Sequence, residues 1–225
     1  RGIHRNLTAQ EVVPIVESNA DDRLVVEQFI VGDEYRVYVA GERPIASYQR
    51  EHPNVIGDGV KAIEELIAEK NLLRNKNPIF RDNLIPLNDV ITKHLGQNGM
   101  TVFDRPKDGQ KVVLSTSLQR REGADYRDVT ETLAIDIQLT SVAAGKALGI
   151  PNSGNDVIVS KEDGQAYVLE VNARAGISPH TYPLYGQGSA NSIAEAIVDM
   201  YFPKSVNNKR FPNPIIYISS VSSTL

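Results

Sequence analysis

The 225 residues include no cysteine and no tryptophan. Without cysteine there is no disulfide, no thiolate nucleophile and no Cys-based zinc site. Without tryptophan there is no indole stacking platform. No apolar run approaches the roughly 20 residues that a membrane-spanning helix needs. A basic excess is missing too: 24 Lys and Arg stand against 28 Asp and Glu, a net charge of −4. No basic stripe relieves that balance, which argues against a nucleic-acid partner. The chain opens Arg1-Gly2-Ile3-His4, with neither Met nor a signal-peptide core, and reads as a chain entered partway. What is present is ordinary for a globular protein: 41% hydrophobic and 23% charged residues. The length allows one large domain or two small ones.

Periodicity predicts a mixed α+β chain with antiparallel strand pairs. Thr8 and Glu11 have capping-box spacing, so a short helix is expected over 8–18, with Pro14 inside it. The runs 24–30 (LVVEQFI) and 35–40 (YRVYVA) read as strands split by Gly32. A third strand follows over 44–50. Val60, Ile63, Leu66 and Ile67 recur at helical spacing. Residues 71–109 are polar and broken by prolines, with a weak helical hint at 87–95. A strand is expected at 111–117. A long helix is expected over 130–148, with Leu133, Ile137, Ser141, Ala144 and Leu148 on one face. Strands 156–160 and 166–171 flank Glu162-Asp163-Gly164, a hairpin signal. A last helix covers 191–202.

The strongest chemical constellation is Asp156, Glu170 and Asn172. Glu170 and Asn172 are two apart on a strand, so their side chains share a face. Two carboxylates and an amide oxygen are the hard donors that Mg²⁺ takes, leaving positions for water and phosphate. Glu-x-Asn alone is common. The apolar run around Glu170 favours the metal reading, because a half-buried carboxylate needs a partner.

At this point the sequence resembles the ATP-grasp superfamily. VLEVNARAG (168–176), preceded by GNDVIVS (154–160), is similar to that superfamily's metal-binding hairpin. VVEQFIVGDEYRVYV (25–39) is similar to its adenine hinge. NVIGDGVKAIEELI (54–67), DVTE (128–131) and HTYP (180–183) resemble segments of cyanophycin synthetases and bifunctional glutathione synthetases. The resemblance runs over about residues 1–205, and five segments in the right order are more specific than any one.

The resemblance implies an ATP-grasp fold, two α+β lobes with antiparallel sheets around a nucleotide cleft, the first lobe truncated. Residues 1–34 would be the remainder of that lobe with the hinge, 35–205 the second lobe, and 206–225 an extension. The cofactors implied are ATP and two Mg²⁺ ions, with Mn²⁺ as a substitute, held by Asp156, Glu170 and Asn172. Glu27 would meet the adenine amino group. Gln28, Phe29 and Ile30 would present backbone to the ring, and Glu34 would take the ribose hydroxyls. Gly2 would belong to the glycine-rich phosphate loop. Arg120, Arg121 and Arg174 are the candidate catalytic cations. The first two are equally readable as a solvated charge cluster, and Arg174 as a salt-bridge partner of Asp156 or Glu170. Arg36, Asn54, Asp58, Ser178, His180 and Tyr182 fall in segments that line the acceptor side in relatives.

The reaction implied is ATP-dependent carboxylate–amine ligation through an acyl phosphate, on amino acids or short peptides. The setting implied is cytoplasmic, with no membrane or nucleic-acid partner and with homo-oligomerisation an open expectation. The family's two phosphate-binding lysines have no counterpart in this sequence, so residues 1–225 alone are expected not to turn over ATP. The alternatives are a non-catalytic nucleotide-binding or assembly module of a larger synthetase, and an ATP-grasp enzyme with another acceptor.

Overall fold

The computed structural model describes residues 7–19 and 24–203. The Gly2 loop and the 206–225 extension lie outside them.

Five strands form the central sheet: β1 (Gly32–Ala40), β2 (Arg43–Glu51), β5 (Asp125–Asp128), β6 (Asn152–Ser160) and β7 (Ala166–Asn172). Their order is β5-β2-β1-β6-β7, with every neighbour antiparallel. A second, two-stranded sheet pairs β3 (Asn54–Ile56) with β4 (Lys111–Val113). The helices are α1 (Ala9–Ser18), α2 (Ile63–Asn75), α3 (Asp89–Gln97), α4 (Ile135–Ala147), α5 (Ser178–Thr181) and α6 (Ala190–Tyr201).

Alternation along β1 and β6 decides the layering. Val37, Val39 and Val157 point to one side, where they pack with Leu133, Ile137 and Val142 of the α4 segment. Burying such side chains is worth about 1.5–3 kcal/mol each. The other side buries Tyr38 and Ala46 under Ile193 of α6 at one end, and Tyr48 and Tyr126 against Phe80 and Leu184 at the other. Between these two patches the sheet face is charged. Val55, Ile63, Leu66, Ile67, Ile91, Leu95 and Leu114 form a separate core, which joins α2 and α3 to the small sheet.

Several expectations are corrected. Residues 24–30 form no strand: Val25 and Val26 are 82% and 65% exposed. A β-branched run with no strand beside it has no ladder to join. Gly32 is no breaker either. It opens β1, and a Cβ there would overlap the Val159 carbonyl of β6. Residues 71–109 are more ordered than their prolines suggested, because Ile85, Ile91 and Leu95 reach the second core. Helix α4 starts at Ile135 rather than 130, since the Thr130 hydroxyl turns back to Asp128 Oδ1 at 2.7 Å. Its last expected face residue, Leu148, is 63% exposed. Strand β6 begins at Asn152, four residues before the expected 156.

Candidate active site

The register assembles one row of side chains across the charged face: Asp128, Tyr48, Arg36, Asp156 and Glu170, one from each strand. Directly opposed residues on neighbouring strands share a face and touch. The adjacent row holds Tyr126, Arg50 and Glu34. On its other side Gly154 opposes Asn172. Glycine at 154 is required there, since a Cβ would overlap Ala175 and lie 3.0 Å from Arg36 Nη1.

Asp156 is the hub. Arg36 Nη2 donates to its Oδ2 at 3.0 Å, while Arg36 Nε lies 2.6 Å from Oδ1, off the hydrogen-bond axis. Arg50 Nη2 donates to the same Oδ1 at 3.0 Å, and its Nη1 reaches Glu34 at 3.4 Å. Arg36 Nη1 also donates to the Gly154 carbonyl at 2.8 Å. In the amide orientation that satisfies its neighbours, Asn172 donates to Glu170 Oε1 and accepts from Arg36 Nη1, both at 2.9 Å. Burial pushes the Asp156 carboxyl up. Arg50 and Arg36 oppose that rise, and Glu170 and Glu34 add to it.

The strands thus bring together hard oxygen donors of the kind Mg²⁺ takes, although Glu170 is exposed rather than half-buried. Asp156 and Glu170 supply the carboxylates and Asn172 the amide oxygen. Among the described residues no group of three or more His, Asp or Glu is placed to hold a metal. Metal ligation would have to take an Asp156 oxygen from Arg36 and Arg50 and the Asn172 oxygen from Arg36.

The other expected residues divide. Arg120 sits in a single 3₁₀ turn, Arg120–Glu122; burial pushes the Tyr126 hydroxyl up, and the charges of Arg50, Arg120 and Arg36 oppose that rise. The Nε atoms of Arg50 and Arg120 are buried with no hydrogen-bond partner. An unmade hydrogen bond on a buried cation is costly, and an anion would satisfy it. Arg121 points to water, 3.9 Å from Glu122, as the solvated-cluster reading has it. Arg174 is exposed and forms no ion pair with a described residue, so its expected bridge to Asp156 or Glu170 is absent. Ser178 begins α5 at the surface, and Tyr182 is 45% exposed. Glu27, Gln28 and Phe29 are exposed and Ile30 is half-buried, all in irregular backbone.

Three of the expected lining residues are held within the fold. Asn54 is 4% exposed and donates to Asp125 Oδ2 at 3.2 Å; Asp125 alternates to the other side of β5 from Tyr126. Asp58 accepts from the Lys61 and Val60 amides, which with the Lys61 side chain hold its carboxyl down to about 2. It caps the turn into α2. His180 is 3% exposed, edge-on to Tyr48 at 4.7 Å and to Tyr38 at 5.6 Å. Burial, with Arg36 nearby, lowers its pKa to about 3, so the ring is neutral; it packs on the same side of the sheet as Arg36.

Arg50, Tyr48 and Tyr126 were not anticipated. The signal was available: once 35–40 and 44–50 pair as a hairpin, Tyr48 and Arg50, two apart, fall beside Arg36 and Glu34.

No protein-family model matches the chain. It is 34% identical over 195 residues to the glutathione biosynthesis bifunctional protein GshAB of Streptococcus thermophilus, matching 83% of this chain and 26% of that protein. Against the Clostridium perfringens protein of the same name it is 29% identical over 189 residues, 81% of this chain and 24% of the other. The crystal structure of a bifunctional glutathione synthetase from Pasteurella multocida superposes with a TM-score of 0.68 at 26% identity, covering 79% of this chain and 25% of that one. The chain thus spans about a quarter of the length of the curated relatives it matches. Among the described residues no helix is long and apolar enough to cross a membrane.

Proposed function

The chain is a member of the ATP-grasp superfamily, similar to bifunctional glutathione synthetases, and from that premise we propose that it serves ATP-dependent carboxylate–amine ligation on amino acids or short peptides. The observation that carries this reading is the row Arg36–Asp156–Glu170 with Asn172 beside it: paired carboxylates, an amide and arginines on one sheet face.

In this reading Asp156, Glu170 and Asn172 hold Mg²⁺, as two ions or with Mn²⁺ in its place. The metal would neutralise β- and γ-phosphate charge so that one anion can approach another. Residues 27–30 take the adenine edge and Glu34 the ribose hydroxyls, for which it turns from its long 3.4 Å contact with Arg50. A substrate carboxylate oxygen bonds to the γ-phosphorus, and the bond to the bridging oxygen breaks, releasing ADP. An amine then attacks the acyl carbon. The C–O bond to phosphate breaks, phosphate leaves, and the amine loses a proton to solvent. Arg36, Arg50 and Arg120 stabilise the charge carried by the transferred phosphoryl group and the tetrahedral carbon. Arg174, exposed and without an ion pair among the described residues, is placed to meet a substrate carboxylate or phosphate. Residues 1–34 belong to the first lobe with the hinge, residues 35–205 form the second lobe, and the protein works in the cytoplasm.

The test is ADP release from ATP and Mg²⁺ with a panel of amino acids and dipeptides, run on the protein purified from its natural source; residues 1–225 alone are expected to release none. Release that requires one acceptor, and falls at least tenfold in Asp156→Asn, supports the proposal. Release that is independent of any acceptor and unchanged in Asp156→Asn removes it.

A further inference from the structure

The second charged cluster contains a fully buried arginine whose partners are mostly backbone. Arg74 of α2 has 0% exposure and stacks over Phe80 at 4.7 Å. Its Nε and Nη2 donate to the Asn83 carbonyl at 2.9 and 2.6 Å. Nη1 meets Asp125 Oδ1 at 2.5 Å and the Gly123 carbonyl at 3.1 Å. The Ala124 carbonyl accepts at 3.3 Å, and the Arg120 carbonyl accepts from Nη2 at 3.3 Å. Three of these acceptors, at 120, 123 and 124, belong to one tight turn. That turn closes on itself through the amides of Glu122, Gly123 and Ala124 and passes through Gly123 at φ +96°.

Stability alone does not call for this arrangement, because a buried ion pair is often no more stable than an apolar pair of the same volume. A planar fork of five N–H donors does what apolar side chains cannot: it fixes several carbonyls in one geometry at once. The turn it fixes carries Arg120, the arginine whose Nε is buried with no hydrogen-bond partner.

We infer that Arg74, locked by Asp125, is the positioning residue for Arg120: it orders the 119–124 turn from behind so that the Arg120 guanidinium is held ready for a phosphate anion on the sheet face. This rests on the role proposed for Arg120 above. Lys70, which donates to Asp125 Oδ2 at 2.5 Å and to the Asn54 carbonyl at 2.6 Å, fixes the other oxygen of the carboxylate.

The experiment compares the full chain with Arg74→Lys, Arg120→Gln, their double variant and Gly123→Ala. Two readouts are taken: amide hydrogen exchange, and Mg·ATP affinity by calorimetry. Arg74→Lys keeps the charge but loses the fork. It is expected to speed exchange of the Glu122, Gly123 and Ala124 amides at least tenfold while the β1–β6 ladder stays protected. It should weaken Mg·ATP binding by the same factor as Arg120→Gln, about tenfold, and the double variant should be no worse than either. Should Arg74→Lys not fold, Gly123→Ala leaves the ion pair intact and strains the turn, with its Cβ 3.1 Å from Ile85 Cγ1. It should show the same loosening and the same loss. Unchanged exchange in the turn of Arg74→Lys overturns the inference, as do effects that multiply in the double variant. A loosened turn with full affinity, while Arg120→Gln is weakened, also overturns it. If Arg120→Gln itself binds Mg·ATP normally, the role proposed for Arg120 falls, and exchange in the turn still decides whether Arg74 orders it.

Discussion

The cluster around Asp125 and the cluster around Asp156 each set a carboxylate against two cations, but they differ in how fully their polar atoms are partnered. Around Asp125 every buried side-chain polar atom of Arg74, Lys70 and Asn54 has a partner. Burial pushes both carboxyls up, but around Asp156 the Nε atoms of Arg36 and Arg50 have no partner and Glu170 at the sheet's edge faces water. A saturated network has nothing left to offer a ligand and specifies structure. An unsaturated one, open on one side, keeps donors and acceptors for something that arrives.

That contrast is broken most severely at Asp125. Asp125→Ala strands Lys70 and Arg74 in the interior without their anion, and should cost up to about 5 kcal/mol in denaturant unfolding. A loss under about 1 kcal/mol would show that the network is wetter than described here.

His180 packs on the same side of the sheet as the site yet is nearly as enclosed as Arg74. Folded, it stays neutral down to about pH 3; unfolded, it takes a proton below its ordinary 6.5. The unfolded state therefore binds more protons between those values, so stability rises with pH. It is complete above about 6.5 and is lost progressively toward pH 3, on the order of 4 kcal/mol in all. A His180→Phe variant should flatten that part of the stability profile, and an unaltered slope would remove the assignment.

Asp156→Asn should have the opposite balance to Asp125→Ala. Because burial and its two carboxylate neighbours already disfavour the charged form, the isosteric amide should change stability by no more than about 1 kcal/mol. The sign of its pH dependence follows: a raised folded pKa means the native state takes up the proton first. Stability from this group therefore falls as pH rises through the range just above the ordinary Asp value, and the variant should lack that fall. At the small end, Lys146→Ala removes a fully exposed pair with Glu42 at 2.6 Å, and no shift in melting temperature is expected.

Much of the site was legible because sheet parity is simple. Glu170 and Asn172 had to share a face, and Asp156 had to lie near them once the hairpin was recognised. Arg50 needed one further step, the register of β2 on β1. Asn54 and Asp125 were illegible: their partners Lys70 and Arg74 come from a helix in a different sequence segment, and only packing brings them together. Strand β5 hid in the alternating charges of ADYRD, which read as solvated although Asp125 is 0% exposed. The 24–30 run misled for the reverse reason, having strand composition with no strand beside it.

The most direct test of the central claim, that the open Asp156 cluster is the metal–nucleotide site, is a Mn²⁺ titration followed by electron paramagnetic resonance in the presence of ATP. It would use the full chain and a Glu170→Gln variant. The account predicts a saturable Mn²⁺·ATP signal in the unaltered protein, weakened at least tenfold in the variant with no change in melting temperature. Equal affinity in the two proteins would contradict it.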